Sequence, residues 1–553
     1  MVTTRKWWKE SVIYQIYPRS FKDSNGDGIG DLEGIISKLN YLQYLGIDIV
    51  WLCPIYDSPN DDNGYDIRDY YAIGKESGDM ETFERLLSGL HQRGIKLIMD
   101  LVLNHTSDEH EWFVKSRSSK DNPYRDFYYW HAPINGMPPT NWPSFFAGNV
   151  WEYDERTGEY YLHLFSKKQP DLNWENEAVR EELYKVVNYW IDKGVDGFRM
   201  DVIPLISKRI PFEPTELTKF NDIVSKIYSN GPRVHEYIAE MREKTFGRED
   251  LLSIGEGPGI TTATAPLYVN EDRKELDMIF HLDHMFLGYG EGGRFDPVPF
   301  DLRDIKRIIN AWNDAIGDQA WISIFMDNHD FPRMVSRFGN DKEFRKESAK
   351  LLAVLILSLR GTPCIYQGSE IAMANVWYDS MDDFDDVETK NFYRQMKDEG
   401  IEEKDFIALA NKYGRDNART PMQWDSTLHG GFTTGVPWLK LNEDYVEWNV
   451  EKALSDEDSV LHFYRKMIKF RKDNPVLSFG DYEDLMPDHP YLFIFRRYLD
   501  ESQLVIALNF SSEIQALDIK MSDYKIVIDN YNHYILSESL LPWQAFILEK
   551  IPE

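Results

Sequence analysis

Arg199 and Asp201 stand two residues apart in the apolar run VDGFRMDV, so on an extended strand both side chains face the same way. An arginine beside an aspartate favours the charged carboxylate, which suits a nucleophile. Glu256 closes another apolar run, LLSIGE, where partial burial raises a carboxyl pKa and suits a proton donor. Two further runs end in DLVLNHTSDEH, with Asp100, Asn104 and His105, and in MDNHDFPR, with Asp327, His329 and Asp330. One ionised and one protonated carboxyl facing a shared pocket is the equipment for cleaving a glycosidic bond; about 5–5.5 Å between them would mean double displacement with retention. A second constellation lies in DSNGDGIGD. Asp23, Asn25, Asp27, the Ile29 carbonyl and Asp31 offer alternating oxygens with glycine at the sixth place, a calcium-loop spacing. Position twelve is Gly34 and no helix precedes the loop, so the expected ion is structural Ca²⁺, or Mg²⁺, with no part in bond cleavage.

The elements that must hold these groups are eight short β-rich runs, at 11–18, 47–54, 95–102, 195–202, 251–256, 276–283, 321–328 and 362–368. Segments of helical period separate them, such as 32–46 and 179–194, which end at Gly46 and Gly194. Parallel strands need crossover helices, and eight such units predict an α/β fold, a (β/α)₈ TIM barrel whose polar strand ends meet at one rim. Residues 103–178 are too long for a loop and rich in aromatics, Pro and Asn; they read as an inserted domain after the third strand. Most of its aromatics should form its own core, with Phe145 the first choice to line a channel. The expected organisation is a barrel over 1–103 and 176–477, an inserted domain over 104–175, and a C-terminal antiparallel β-sandwich over 478–553. The acidic stretch DSMDDFDDVE (379–388) reads as a solvated loop.

Composition narrows the partners. With 62 Lys+Arg against 93 Asp+Glu the formal net charge is −31, which argues against nucleic acid and against docking on an anionic membrane. The longest apolar run, LLAVLILSL, is half a membrane span. The two cysteines, Cys53 and Cys364, sit in apolar runs and predict buried free thiols, and no signal peptide is visible, so a cytoplasmic monomer is expected.

The strand-end motifs resemble the signature regions of glycoside hydrolase family 13, the α-amylase superfamily. DSNGDGIGDLEGI, KQPDLNWEN, QGSEIAM and GRDNARTPMQWD extend the resemblance along the whole chain, toward the oligo-1,6-glucosidase, dextran glucosidase and α-glucosidase branch. The resemblance implies Asp201 as nucleophile, Glu256 as general acid/base and Asp330 as a third carboxylate stabilising the transition state. It implies that His105, Gln169, Arg199 and His329 complete the pocket for one glucose, with Tyr65 and Phe165 stacked on the ring. An Asp66–Arg415 pair would close that pocket behind the terminal glucose and confine the enzyme to chain ends; Arg419, four residues on, is the competing arginine. Val202 accompanies α-1,6 activity in the resembling enzymes. The sequence departs from the family at Gly257–Pro258 and at Ser369, changes that bear on the leaving-group site and so on substrate choice. The implied substrate is a short oligosaccharide cleaved at terminal α-1,6 bonds, with α-1,4 or sucrose-type linkages also open. The rival on the same scaffold is a sucrose isomerase or transglucosylase. Sucrose isomerases carry an arginine-rich RLDRD-like stretch where this chain reads LGYGEGGRFDPVPFDLRD, which favours hydrolysis.

Overall fold

The computed structural model describes residues 6–551 except 249, 518–522 and 536. All eight apolar runs form strands: β1 (Ile13–Ile16), β2 (Ile49–Leu52), β3 (Lys96–Val102), β4 (Gly197–Asp201), β5 (Leu252–Gly257), β6 (Met278–His281), β7 (Ser323–Ile324) and β8 (Thr362–Tyr366). Their order in the sheet is β6-β5-β4-β3-β2-β1-β8-β7, every neighbour parallel. A parallel bridge between Ile279 and Ile322 joins the two ends into a barrel. Strands of Ile, Val and Leu suit this place because each is covered on both faces.

The crossover helices carry their own start and stop signals. Asn176 caps Glu177–Lys193 by accepting from Ala178 N–H, and Gly194, at φ 98°, ends it. Asp301 and Asp304 form a capping box on Leu302–Ile316. The single helix expected over 32–46 is two, Leu32–Ser37 and Leu39–Leu45, because Lys38 (φ −110°, ψ 8°) leaves the helical region.

Between β3 and β4 a three-stranded antiparallel sheet forms from Trp130–His131, Glu159–Leu162 and Trp151–Asp154. Its core is shared. Tyr129, Trp142, Trp151 and Leu164 pack with Val202, Leu205, Val224 and Tyr228, which belong to the connection after β4. Helices Val387–Asp398 and Glu403–Tyr413 fill the excursion after β8 and bury Tyr378, Phe384 and Phe406 against Phe295.

The C-terminal strands β9 (Asp481–Asp484), β10 (Leu492–Leu499), β11 (Ser502–Asn509), β12 (Tyr524–Asp529) and β13 (Ala545–Lys550) make an antiparallel sheet in the order β9-β10-β11-β13-β12. A short pair, Gln515–Ala516 with Ser539–Leu540, lies beside it. Two buried arginines, one from the barrel helix Val460–Asp473 and one from β10, meet where this unit joins the barrel. Arg471 donates to the carbonyls of Leu357, Leu359 and Gly361, and Arg497 donates to that of Ser358, so both satisfy the end of helix Arg345–Ser358. No helix among the described residues is long and apolar enough to cross a membrane, and Cys53 and Cys364 are free and buried.

One glycine fixes the strand that bears Arg199 and Asp201. Gly197 has φ 154°, and a Cβ there would stand 2.1 Å from the Leu252 carbonyl oxygen on β5. Gly197→Ala should therefore lower unfolding stability by about 3 kcal/mol or more, measured by urea denaturation; a loss under about 1 kcal/mol would mean that β4 and β5 are not held this closely.

Candidate active site

The rim at the strands' C-terminal ends encloses a cavity of about 820 Å³. Tyr65, His105, Phe145, Phe165, Asp201, Val202, Glu256, Asp330 and Arg415 line it. Four other residues expected at the pocket do not. Arg199 and His329 are 1% exposed and stand one layer behind; Gln169 and Asp66 are fully buried.

Arg199 organises the floor. Its Nη1 lies 2.7 Å from Asp100 Oδ1 and 2.9 Å from Asp201 Oδ1, and its Nη2 lies 2.7 Å from Glu256 Oε2. Asp100 is held from its other side by Tyr65 Oη at 2.9 Å and Trp51 Nε1 at 3.1 Å. One cation thus serves three carboxylates. The expectation that Arg199 would depress Asp201 does not hold in this setting. Burial pushes Asp201 well up, Arg199 opposes it, and Glu256, Asp100 and Asp330 add to the rise. Glu256 is also raised, by burial against Arg199 and by Asp330. Two raised carboxyls sharing one guanidinium lose their protons in two steps, and the middle state has one carboxylate and one acid.

Asp330 behaves oppositely. Burial alone would raise it, but His329, Arg415, Arg419 and Arg199 outweigh burial and hold its carboxyl well below the usual range. Arg415 Nη1 is 3.2 Å and Arg419 Nη2 3.0 Å from Asp330 Oδ1, so both candidate arginines converge here. The Gln15 amide nitrogen faces His329 Nδ1 at 2.8 Å, leaving His329 Nε2 to carry the hydrogen 3.3 Å from Asp330 Oδ2. Burial drives the His329 pKa down to about 3, so the ring is neutral. The ring stacks on Tyr65 at 5.1 Å. His105 is neutral for the same reason, its pKa lowered by burial to about 4.

The acid facing Arg415 is Asp62, not Asp66. Asp62 Oδ1 is 3.0 Å from Arg415 Nη2. Asp66 instead accepts the backbone N–H groups of Asp61 at 2.9 Å and Asp62 at 3.0 Å, and so shapes the turn that presents Asp62. Burial pushes Asp66 up to about 7. Gln169 has a supporting place as well: Nε2 donates to Asp62 Oδ2 at 3.1 Å and lies 3.3 Å from His105 Nε2. Two acids absent from the expected site complete the wall. Asp386 Oδ1 is 2.6 Å from Arg415 Nη2, and Glu388 Oε2 is 3.3 Å from Arg415 Nε and 3.1 Å from Arg294 Nε. Both sit at the end of the acidic stretch expected to be solvated, and both are buried. Their only sequence signal was the nearness of RDNAR on the same excursion. Phe145 and Phe165 stack at 4.7 Å and form the apolar wall.

In the 23–31 loop, Asp23 and Asp31 are buried and Asn25 and Asp27 are exposed. Asp23 accepts from the N–H groups of Asn25, Gly26 and Gly28 and from the Thr433 hydroxyl, and Asp31 caps Leu32–Ser37 through Gly34 N–H. Among the described residues no three His, Cys, Asp or Glu side chains are grouped to hold a metal. Asp23 accepts two hydrogen bonds on each oxygen, so an ion would share or displace them and would draw also on Asn25, Asp27 and the Ile29 carbonyl at the open side of the loop.

Known proteins resemble this chain along nearly its whole length. Residues 15–480 match the family model described as "Alpha amylase, catalytic domain". The oligo-1,6-glucosidase of Halalkalibacterium halodurans is 50% identical over 98% of both chains. The trehalose-6-phosphate hydrolase of Bacillus subtilis is 48% identical over 91% of this chain and 90% of its own. Among solved structures, the isomaltulose synthase of Klebsiella sp. superposes with a TM-score of 0.96 at 42% identity, covering 99% of this chain and 100% of that one.

Asp66→Ala would strand two backbone N–H groups in a dry turn. It should cost about 2–3 kcal/mol in urea denaturation. A loss below about 0.5 kcal/mol would show that the turn stands without that carboxylate.

Proposed function

This chain belongs to the α-amylase family, and from that premise we propose an exo-acting, retaining α-glucosidase that hydrolyses terminal α-1,6 bonds of short, uncharged oligosaccharides. The observation that carries the reading is the single guanidinium of Arg199 ion-paired with both Asp201 and Glu256. Two carboxyls tied to one planar fork are close enough for one to attack the anomeric carbon while the other protonates the departing oxygen. Asp201 is the nucleophile, Glu256 the acid and then the base, and Asp330, kept ionised by its arginines, binds the sugar hydroxyls. The Asp62–Arg415–Asp386 group seals one end of the cavity, which supports attack at a chain terminus. A phosphorylated substrate fits less well. Arg294 and Arg415, the arginines lining the cavity, are already spent on Glu388, Asp386 and Asp62. Transfer to a second sugar, the isomerase route, uses the same first step and differs only in what enters afterwards. The missing arginine-rich stretch favours water.

Asp201→Ala and Glu256→Gln should each lower kcat/KM on isomaltose by about 10³-fold or more with the fold intact by circular dichroism. Wild-type kcat/KM should be bell-shaped in pH. Below the lower limb Asp201 is protonated and cannot attack; above the upper limb Glu256 has lost the proton it must give. The first product should be the α-anomer of glucose. On sucrose, glucose and fructose released in equal amounts would favour hydrolysis, whereas a new disaccharide as the main product would establish the isomerase.

We further propose that the 23–31 loop takes a structural Ca²⁺, or Mg²⁺, through Asp23, Asn25, Asp27, the Ile29 carbonyl and Asp31. Hydrogen bonds already close the turn, so the ion adds to it without creating it. Adding Ca²⁺ to chelator-treated protein should raise Tm by a few degrees, about 2–4 °C, and Asp27→Ala should abolish that rise. No shift in the parent protein would mean the loop relies on its own hydrogen bonds. A cytoplasmic monomer is the working state we propose; the buried free thiols suit a reducing compartment.

A further inference from the structure

Val202 follows Asp201 directly and turns the chain with φ 37° and ψ 38°. This is left-handed backbone, which a β-branched residue adopts only where its surroundings over-determine it. Here they do so from both sides. The side chain packs in the small core shared with the inserted domain, beside Leu205 and Val224, and the carbonyl accepts from Leu205 N–H at 2.9 Å. The result of the turn is that Val202 N–H donates to Glu256 Oε2 at 3.1 Å. The same oxygen takes the Arg199 Nη2 contact at 2.7 Å. Glu256 Oε1 has no hydrogen-bond partner among the described residues, although Glu256 lines the cavity.

We propose that the peptide N–H of Val202 is a positioning group for the general acid: together with Arg199 it claims Glu256 Oε2, so the transferable proton sits on Oε1. An oxygen that accepts a peptide N–H and lies against a guanidinium holds the negative end of the carboxyl, and a hydrogen placed on it would face both. The unclaimed oxygen is therefore the one that works. In the first step Oε1–H passes its proton to the glycosidic oxygen as the C1–O bond breaks and its electron pair leaves with that oxygen. Asp201 forms the new C1–O bond. In the second step water adds to C1, its proton returns to Oε1, and the bond to Asp201 breaks. The strained turn lets the residue that follows the nucleophile orient the acid as well.

The inference rests on the glycosidase reading, and its test separates the two. Replacing Val202 by its α-hydroxy analogue turns the N–H into an ester oxygen while keeping the side chain. We compare isomaltose, whose leaving group needs a proton, with p-nitrophenyl α-glucoside, whose leaving group does not. The ester variant should lose about tenfold more kcat/KM on isomaltose than on the aryl glucoside. Its upper pH limb should move up by about half to one unit, because the lost N–H bond favoured ionised Glu256. An equal loss on both substrates with an unmoved limb would overturn the proposal. Val202→Gly keeps the N–H and adopts the same backbone without strain. Its upper pH limb should stay at the wild-type position; a limb raised as in the ester variant would show that the valine side chain, not the N–H, is responsible. If Glu256→Gln kept its activity on isomaltose, the glycosidase reading itself would fail, whatever the ester variant did.

Discussion

The site depends on a buried cation that is outnumbered. Arg199 sits behind the cavity floor at 1% exposure with Asp100, Asp201 and Glu256 on its two terminal nitrogens. Removing charges from water is costly unless each is paired, and a one-to-three ratio leaves the carboxyls unable to ionise together. That shortage favours a state in which an acid and a carboxylate stand side by side. It demands that β3, β4 and β5 stay in register, since Asp100 and Arg199 are register partners across β3 and β4. Gly197 meets that demand by letting β4 approach β5 more closely than any side chain would permit.

A second outnumbered cation builds the closed end. Arg415 meets Asp62, Asp330, Asp386 and Glu388, which come from the connections after β2, β7 and β8. The two arginines sort their carboxylates differently. Asp330 gathers several cations and its carboxyl is held low, while Asp201 and Glu256 share one and both are raised. Proximity to positive charge alone does not set these states; the count of competitors for each guanidinium does.

The strands, the barrel and the three acids at its rim were legible in the sequence because each depends on a local pattern: a β-rich apolar run, a helix with caps, a polar residue at a run's end. What was not legible depends on which of several like residues turns inward. Asp61, Asp62 and Asp66 lie within six residues, and only the folded turn tells the arginine's partner from the acid that ties the turn together. Asp386 and Glu388 sit in a run whose composition speaks for solvent, yet the helix beginning at Val387 carries them to Arg415 and Arg294. The ionisation of Asp201 was misjudged for a similar reason. Its arginine neighbour is visible along the strand, but that arginine's other two partners come from different strands.

The two guanidiniums at the end of helix Arg345–Ser358 have a consequence for evolution and for engineering. One comes from the barrel's last long helix and the other from β10, yet they quench adjacent carbonyls of the same helix terminus. A module that supplies part of its neighbour's helix cap cannot be exchanged for an unrelated one without leaving a bare dipole inside the seam. The C-terminal sheet is in this sense less an appended domain than a detachable-looking piece of the barrel's own wall, and grafts between relatives should respect that joint before they respect any boundary drawn by sequence.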